Sequence, residues 1–179
     1  MLISGEISTE FFYTLQAADR EYKLKTIPSN RLKTNSLKED IHINNKLTVF
    51  LAEDDADDQE MLIEMMKAED ERLAFITAST GSKAVDILRK LENDHLPCLI
   101  ILDYNLPEMS GAEILAKLAD ETRYKGTVKI VWSTSNSPIY QKKCMELGAQ
   151  SYIVKPTGIA GIKAIAKQLV ELCLKTQAS

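Results

Sequence analysis

Five short apolar segments, rich in β-branched residues, limit the possible folds of this chain more than any other feature of its sequence. Each segment is followed by a stretch whose apolar residues recur at helical spacing, and this alternation is typical of a parallel sheet with helices on both faces. We therefore predict an α/β fold of three layers, with five parallel strands and five helices. The predicted strands cover residues 47–52, 73–78, 98–102, 128–133 and 151–154.

The sequence divides into three parts that differ in pattern. Residues 1–46 end in a polar stretch without apolar periodicity, so we predict an N-terminal extension that is disordered or partly helical from about Ser8. The alternation of strands and helices occupies residues 47–175, which we predict to be one domain. The remaining residues, 176–179, are predicted to form a short tail.

The composition argues against several classes of function. A net charge of -4 provides no general attraction to nucleic acid or to an anionic membrane surface. No segment approaches the roughly 18 consecutive apolar residues that a membrane span needs, and the N-terminus lacks the basic start of a secretory signal. Because Cys98, Cys144 and Cys173 are far apart and form no C-x-x-C pair, we expect three reduced thiols and a cytoplasmic location.

Polar side chains follow four of the five predicted strands, at the point where each strand ends. The carboxyl ends of parallel strands meet at one edge of the sheet, where such sheets bind ligands, so we expect these side chains to lie close together. They are Glu53, Asp54 and Asp55 after the first strand, Asp103 after the third, Ser133 and Thr134 after the fourth, and Lys155 after the fifth.

This set of side chains indicates phosphoryl chemistry at a magnesium site. Carboxylates gathered in one crevice repel each other, and Mg²⁺ removes that repulsion while it leaves coordination positions for phosphate oxygens. Asp103 can then act as an oxygen nucleophile toward phosphorus. The Lys155 ammonium supplies a second counter-charge, and the Ser133 hydroxyl can donate a hydrogen bond to a phosphoryl oxygen.

The same residues resemble the receiver domain of two-component response regulators. The similarity covers about residues 46–175 and is carried by the segments VFLAEDD, LIILDYNLPEMSG, IVWSTS and GAQSYIVKP. Its spacing is specific, since Pro107 and Gly111 stand four and eight residues after Asp103. The resemblance implies a flavodoxin-like fold with five βα units and the strand order 2-1-3-4-5.

The resemblance also implies a role for the charged residues of the site. Asp103 corresponds to the phospho-accepting aspartate, and Lys155 corresponds to the invariant lysine of the family. The implied ligands of Mg²⁺ are three carboxylates and one backbone carbonyl, which belong to Glu53, Asp54, Asp103 and, for the carbonyl, Asn105.

Four further residues correspond to positions that take part in switching or support the site. Ser133 fills the Ser/Thr position of the family, and Tyr152 fills the aromatic position that moves when Ser133 turns toward the phosphoryl group. Thr134 fills a position that is usually small, so it is expected to restrict access to an acyl phosphate. The peptide bond before Pro156 is expected to be cis.

Together these correspondences predict a phospho-accepting receiver and not an enzyme with a substrate of its own. A partner histidine kinase or phosphotransfer protein is expected to phosphorylate Asp103 with Mg²⁺, while the chain itself contributes at most self-phosphorylation and autodephosphorylation. Phosphorylation would shift the fourth helix, fifth strand and fifth helix for protein–protein signalling. The same face is a predicted homodimer surface, whereas the downstream target is not predicted.

The position of the last helix adds one expectation about the type of receiver. The sequence ends at Ser179, shortly after the fifth helix, so a stand-alone single-domain receiver is expected. The opening segment EDDADDQEML resembles that of the small receivers that serve bacterial phytochrome-type kinases.

Three other functions fit parts of the pattern. A degenerate receiver would act as a scaffold that needs no phosphorylation, although the complete set of charged residues argues against it. A phosphohydrolase of the haloacid-dehalogenase type also uses a strand-end aspartate and Mg²⁺, but it needs an acidic residue where this chain has Asn105. A flavin-binding protein needs a phosphate-binding loop after the first strand, and here carboxylates follow that strand.

Overall fold

The computed structural model describes residues 47–177, which form the predicted parallel sheet with helices on both faces. Its five strands stand in the order β2-β1-β3-β4-β5, so the predicted order 2-1-3-4-5 is confirmed. The predicted extension over residues 1–46 lies outside the described residues. The strands are β1 (Leu47–Ala52), β2 (Leu73–Ala78), β3 (Leu99–Asp103), β4 (Val128–Ser133) and β5 (Ser151–Val154).

In the part of the chain that the structure describes, five α-helices connect and follow the strands, and a 3₁₀ turn lies at Thr122–Tyr124 before β4. The last helix continues to Gln177, and the predicted domain limit at residue 175 and the tail at 176–179 stay predictions. The helices are α1 (Ala56–Glu69), α2 (Gly81–Lys90), α3 (Gly111–Ala119), α4 (Pro138–Glu146) and α5 (Ile159–Gln177).

Local sequence explains where the helices next to the site begin. The Asp55 side chain accepts hydrogen bonds from the backbone N–H groups of Asp57 and Asp58, which caps α1 directly after β1. Ser110 and Glu113 form a reciprocal capping box at the start of α3. The caps therefore fix where each helix begins, after residues 53–55 for α1 and after residues 104–110 for α3.

Two apolar clusters pack against the two faces of the sheet. One contains residues of α1 and α5, and the other contains residues of α2, α3 and α4. Alternate residues of the central strands serve the two clusters, as Leu99 and Ile101 face one side while Ile100 and Leu102 face the other. Strands β1 and β3 are thus buried on both faces, and only their ends can carry polar chemistry.

The expectation of three reduced thiols is wrong for two of the cysteines. Cys98, just before β3, and Cys173, in α5, form a disulfide with their Cα atoms 5.2 Å apart, which is within the range for such bonds. Packing of α5 across the sheet brings them together although 75 residues separate them in sequence. Cys144 is a free, buried thiol.

Within residues 47–177, none of the helices is both long enough and apolar enough to cross a bilayer.

Candidate functional site

Asp103 is the last residue of β3, and its carboxylate is held at the carboxyl edge of the sheet. The residue is only 5% exposed. Its Oδ1 accepts a hydrogen bond of 2.7 Å from the backbone N–H of Asn105, and its Oδ2 accepts one of 2.6 Å from Lys155 Nζ. Backbone pairing of Asp103 with Trp132 of β4 fixes the position of the Cα. Asp103 is therefore held in place both by its backbone and by the two oxygens of its side chain.

The loop after β3 folds back against Asp103 because position 111 has no side chain. A Cβ atom placed on Gly111 would collide with the carbonyl oxygen of Asp103, which is backbone and cannot move aside. The backbone N–H of Gly111 also donates to the carbonyl of Tyr104. Helix α3 can therefore begin in close contact with the backbone of Asp103.

Three carboxylates gather at the ends of β1 and β3. Glu53 is 1% exposed, whereas Asp54 beside it is exposed. Glu53, Asp54 and Asp103 each offer an oxygen atom, and these atoms all lie within 4.8 Å of one another. An all-carboxylate set with one open, solvent-facing member fits a hard cation such as Mg²⁺, which keeps several water ligands.

Lys155 closes the site from the end of β5. Its side chain is 9% exposed, and its ammonium donates hydrogen bonds to Glu53 Oε2 (2.8 Å), Asp58 Oδ2 (2.8 Å) and Asp103 Oδ2 (2.6 Å). Lys155 and Asp103 were expected to lie close together, and the structure brings them into direct contact. Asp58, in the first turn of α1, is a partner that the sequence analysis missed.

Burial and charge shift the pKa values of two of these groups. Burial raises the pKa of Glu53 to about 8, and the charges of Asp103 and Asp58 act in the same direction, against the hydrogen bond from Lys155. Burial alone would lower the pKa of Lys155, but its hydrogen bonds to Asp103, Asp58 and Glu53 outweigh that effect and raise it. Lys155 therefore remains an ammonium, and Glu53 exchanges a proton near neutral pH.

Ser133 is the last residue of β4 and Thr134 follows it, and the two side chains differ in exposure. Ser133 is fully buried, and its hydroxyl oxygen accepts a hydrogen bond of 3.1 Å from the backbone N–H of Ser135. Its carbonyl accepts a hydrogen bond of 2.7 Å from the backbone N–H of Lys155, which joins the ends of β4 and β5. Thr134 points away from the core and is exposed. The predicted effect of Thr134 on access to an acyl phosphate stays a prediction.

Tyr152 in β5 belongs to a group of three tyrosines beside the site. Its hydroxyl donates a hydrogen bond of 2.9 Å to the carbonyl of Ser135. The ring of Tyr104, directly after Asp103, meets Tyr152 edge to face at 6.4 Å and stacks on Tyr140 of α4 at 4.5 Å. Of these three tyrosines, only Tyr152 was predicted from the sequence to belong to the site. The stacked pair links the loop after β3 to α4, which is the helix expected to move.

Two predictions taken from the resemblance concern backbone features. The Asn105 N–H is bonded to Asp103, whereas the metal-binding role of its carbonyl stays a prediction. The ring of Pro156 packs against α5 at Gly161, where a Cβ atom would collide with it. The cis form of the Lys155–Pro156 bond also stays a prediction.

The sequence of this chain is similar to those of proteins of two-component signalling. The model of a family described as the response regulator receiver domain matches residues 49–167. The two-component response regulator ORR3 from Oryza sativa subsp. indica is 25% identical over 122 residues, which cover 68% of this chain and 89% of ORR3. Histidine kinase P4 from Formosa agariphila is 26% identical over 177 residues, which cover 99% of this chain but 12% of that kinase.

Solved structures show the same fold. The phosphorylated cyanobacterial phytochrome response regulator RcpA is 28% identical with a TM-score of 0.67, and the match covers 73% of this chain and 96% of RcpA. The Mn²⁺-bound form of response regulator Rcp1 is 22% identical with a TM-score of 0.54, covering 74% of this chain and 92% of Rcp1. Because the family match spans more than half of its residues, this chain belongs to the response regulator receiver domain family.

Proposed function

We propose that this chain is a phospho-accepting receiver, in which a partner histidine kinase or phosphotransfer protein donates a phosphoryl group to Asp103 at a Mg²⁺ site. The observation that carries the proposal is the 2.6 Å contact between Lys155 Nζ and Asp103 Oδ2, next to the oxygens of Glu53 and Asp54. Membership of the receiver family and the 28% identity to a structure of a phosphorylated regulator support it.

The reaction needs little covalent machinery from this chain. A carboxylate oxygen of Asp103 forms a bond to phosphorus, while the bond between phosphorus and the donor's histidine nitrogen breaks and its electron pair stays on that nitrogen. Glu53 and Asp54, with Asp103, would hold Mg²⁺, and the chemistry that this ion supplies is neutralisation of the carboxylate and phosphoryl charges. Lys155 holds the attacking carboxylate in place through its ammonium group.

The response would pass to α4, β5 and α5 through Ser133 and Tyr152. The Ser133 hydroxyl, at the end of β4, is available to turn toward a phosphoryl oxygen because it currently accepts only one hydrogen bond, from a neighbouring N–H. That turn would disturb the loop whose Ser135 carbonyl binds the Tyr152 hydroxyl. The face formed by these elements exposes the apolar side chains of Ile139, Val154 and Ile159, and we propose it as the surface for a target protein or a second copy.

The likeness to a phytochrome response regulator favours a phytochrome-type histidine kinase as the donor. In this proposal the kinase donates the phosphoryl group in response to its signal, and Asp103 of this chain accepts it.

Labelling with acetyl phosphate and Mg²⁺ tests the acceptor role. Intact-mass spectrometry is expected to show one added phosphoryl group on the wild type and none on Asp103→Asn. Omitting Mg²⁺ should abolish the labelling of the wild type. Equal labelling of the wild type and Asp103→Asn would refute the assignment of Asp103.

A further inference from the structure

Asp58 is a third carboxylate on the Lys155 ammonium, and the proposed phosphorylation gives it no role. An ammonium group has three N–H donors. Lys155 uses all three, because it donates to Glu53, Asp103 and Asp58 at 2.8, 2.6 and 2.8 Å. In the unphosphorylated chain, no donor of Lys155 is left for a further acceptor.

The three carboxylates differ in how much water reaches them. The side chains of Glu53 and Asp103 are 1% and 8% exposed, whereas that of Asp58 is 36% exposed. Asp58 is also held by its backbone, since its N–H donates to the capping carboxylate of Asp55. Asp58 can therefore lose its contact with Lys155 while the start of α1 stays folded. Its carboxylate would then be hydrated and not buried without a partner.

Phosphorylation of Asp103 changes the demand on these donors. The new phosphoryl oxygens lie on the residue that Lys155 already contacts, and they are strong acceptors for an ammonium. The contact of Lys155 with Asp103 Oδ2 can pass to one of these oxygens, but a second phosphoryl contact requires Lys155 to release another partner. Of the other two partners, Glu53 is buried and Asp58 is partly exposed, so releasing Asp58 returns a carboxylate to water at the lower cost.

We infer that Asp58 is a positioning residue that competes with the phosphoryl group for the Lys155 ammonium. It holds the lysine in its resting place and is the partner that Lys155 exchanges when Asp103 is modified. The inference rests on the proposed function, since it assumes that Asp103 receives a phosphoryl group. Asp58 then sets how readily the site accepts the phosphorylated state, without touching the reacting atoms.

Binding of beryllofluoride, an anionic mimic of the phosphoryl group, measures this competition on the full chain. Titrations followed by calorimetry at saturating Mg²⁺ would compare the wild type with Asp58→Asn. Because the neutral amide competes less well for the ammonium, we expect Asp58→Asn to bind the mimic about threefold to fivefold more tightly, the scale of a half-exposed ion pair. The difference should shrink in about 1 M salt, where the screening length is short.

Asp57→Asn is the matched control. Asp57 lies in the same first turn of α1 and is exposed, and it is not among the three carboxylates that accept from the Lys155 ammonium. The control removes the same charge from the same helix end, so we expect its affinity for the mimic to stay within about twofold of the wild type, as for an exposed side chain. Asp58→Glu, which keeps the charge, should restore the wild-type affinity.

A second titration, with Mg²⁺ alone, separates competition from structural damage. Loss of a negative charge near the cation should weaken Mg²⁺ binding, so competition predicts opposite signs for the two ligands. Damage to the site would weaken both. Asp58→Ala provides a second neutral variant, and urea denaturation verifies that each variant is folded.

The outcomes distinguish the inference from the proposed function. If the wild type binds beryllofluoride and Asp58→Asn binds it equally well or less well, the inference is overturned and the proposed function stands. If the wild type does not bind beryllofluoride in the presence of Mg²⁺, the proposed function fails and the inference falls with it.

Discussion

Replacing Lys155 by methionine should destabilise the fold and make its stability more sensitive to Mg²⁺. Methionine keeps the length and the apolar stem of the side chain but removes the charge. The change leaves Glu53 and Asp103, which are both buried, without their shared cation. Removing one partner of a buried ion pair typically costs about 3–5 kcal/mol.

Two effects of opposite sign modify this value, and together they make the expected loss of stability somewhat smaller. Glu53 relieves part of the repulsion by remaining protonated, since burial has already raised its pKa to about 8. The contact with Asp58 adds about 1 kcal/mol or less, because that carboxylate is partly exposed. We therefore expect Lys155→Met to lower the free energy of unfolding by about 2–4 kcal/mol without Mg²⁺.

Urea denaturation followed by fluorescence measures this loss directly. Trp132 is the only tryptophan of the chain, is buried, and pairs with Asp103 across β3 and β4, so it reports on the fold next to the site. In the wild type, Lys155 occupies carboxylate oxygens that Mg²⁺ would need, so Mg²⁺ should stabilise Lys155→Met more than the wild type. Lys167→Met on α5, an exposed position, is the control and should change stability by less than about 0.5 kcal/mol. An unchanged midpoint for Lys155→Met, or an equal effect of Mg²⁺ on both proteins, would contradict the structure of the site.

Three further predictions address the metal, the loop after β3 and the cysteines. Glu53 must lose its proton to bind a cation, and its pKa is raised to about 8. The affinity for Mg²⁺ should therefore rise as the pH is increased from 6 toward about 8 and then level off. Calorimetry should find no such pH dependence in Glu53→Gln. Gly111→Ala should lower stability by about 1–3 kcal/mol in urea denaturation because its methyl group meets fixed backbone. Gly126→Ala, with open space around it, should not lower stability in this way. Equal effects would argue against the close approach of residue 111 to the Asp103 carbonyl. Thiol titration of the unfolded chain should find one reactive cysteine without reductant and three with it, and three under both conditions would contradict the Cys98–Cys173 bond.

The strands could be predicted because those of a parallel sheet are buried on both faces and so appear as nearly continuous apolar runs. Four of the five observed strands have the predicted boundaries. The third is displaced by one residue because the backbone of Asp103 still pairs with β4, although its carboxylate made it look like a loop residue. The contact of Lys155 with Asp103 was predictable for the same reason, since parallel strands bring their carboxyl ends to one edge.

Contacts between helices and strand ends were harder to predict. A carboxylate in the first turn of a helix is explained by the helix dipole alone, so nothing in the sequence pointed from Asp58 to Lys155. The stacking of Tyr104 on Tyr140 depends on how α4 lies over the loop after β3, which apolar periodicity does not specify. The pairing of Cys98 with Cys173 depends in the same way on the path of α5 across the sheet, since widely spaced cysteines carry no pairing information.

The covalent bond at Cys173 has a mechanical consequence for α5. It ties the far part of the helix to the start of β3, at the edge of the sheet opposite to Lys155. The stretch from residue 159 to residue 173 is about 21 Å long, so a rotation of about 5° around the tethered end would displace Ile159 by about 2 Å. A helix anchored in this way can rotate about the disulfide but cannot slide along its axis. The largest displacement available to it is therefore at the end nearest the acidic cluster.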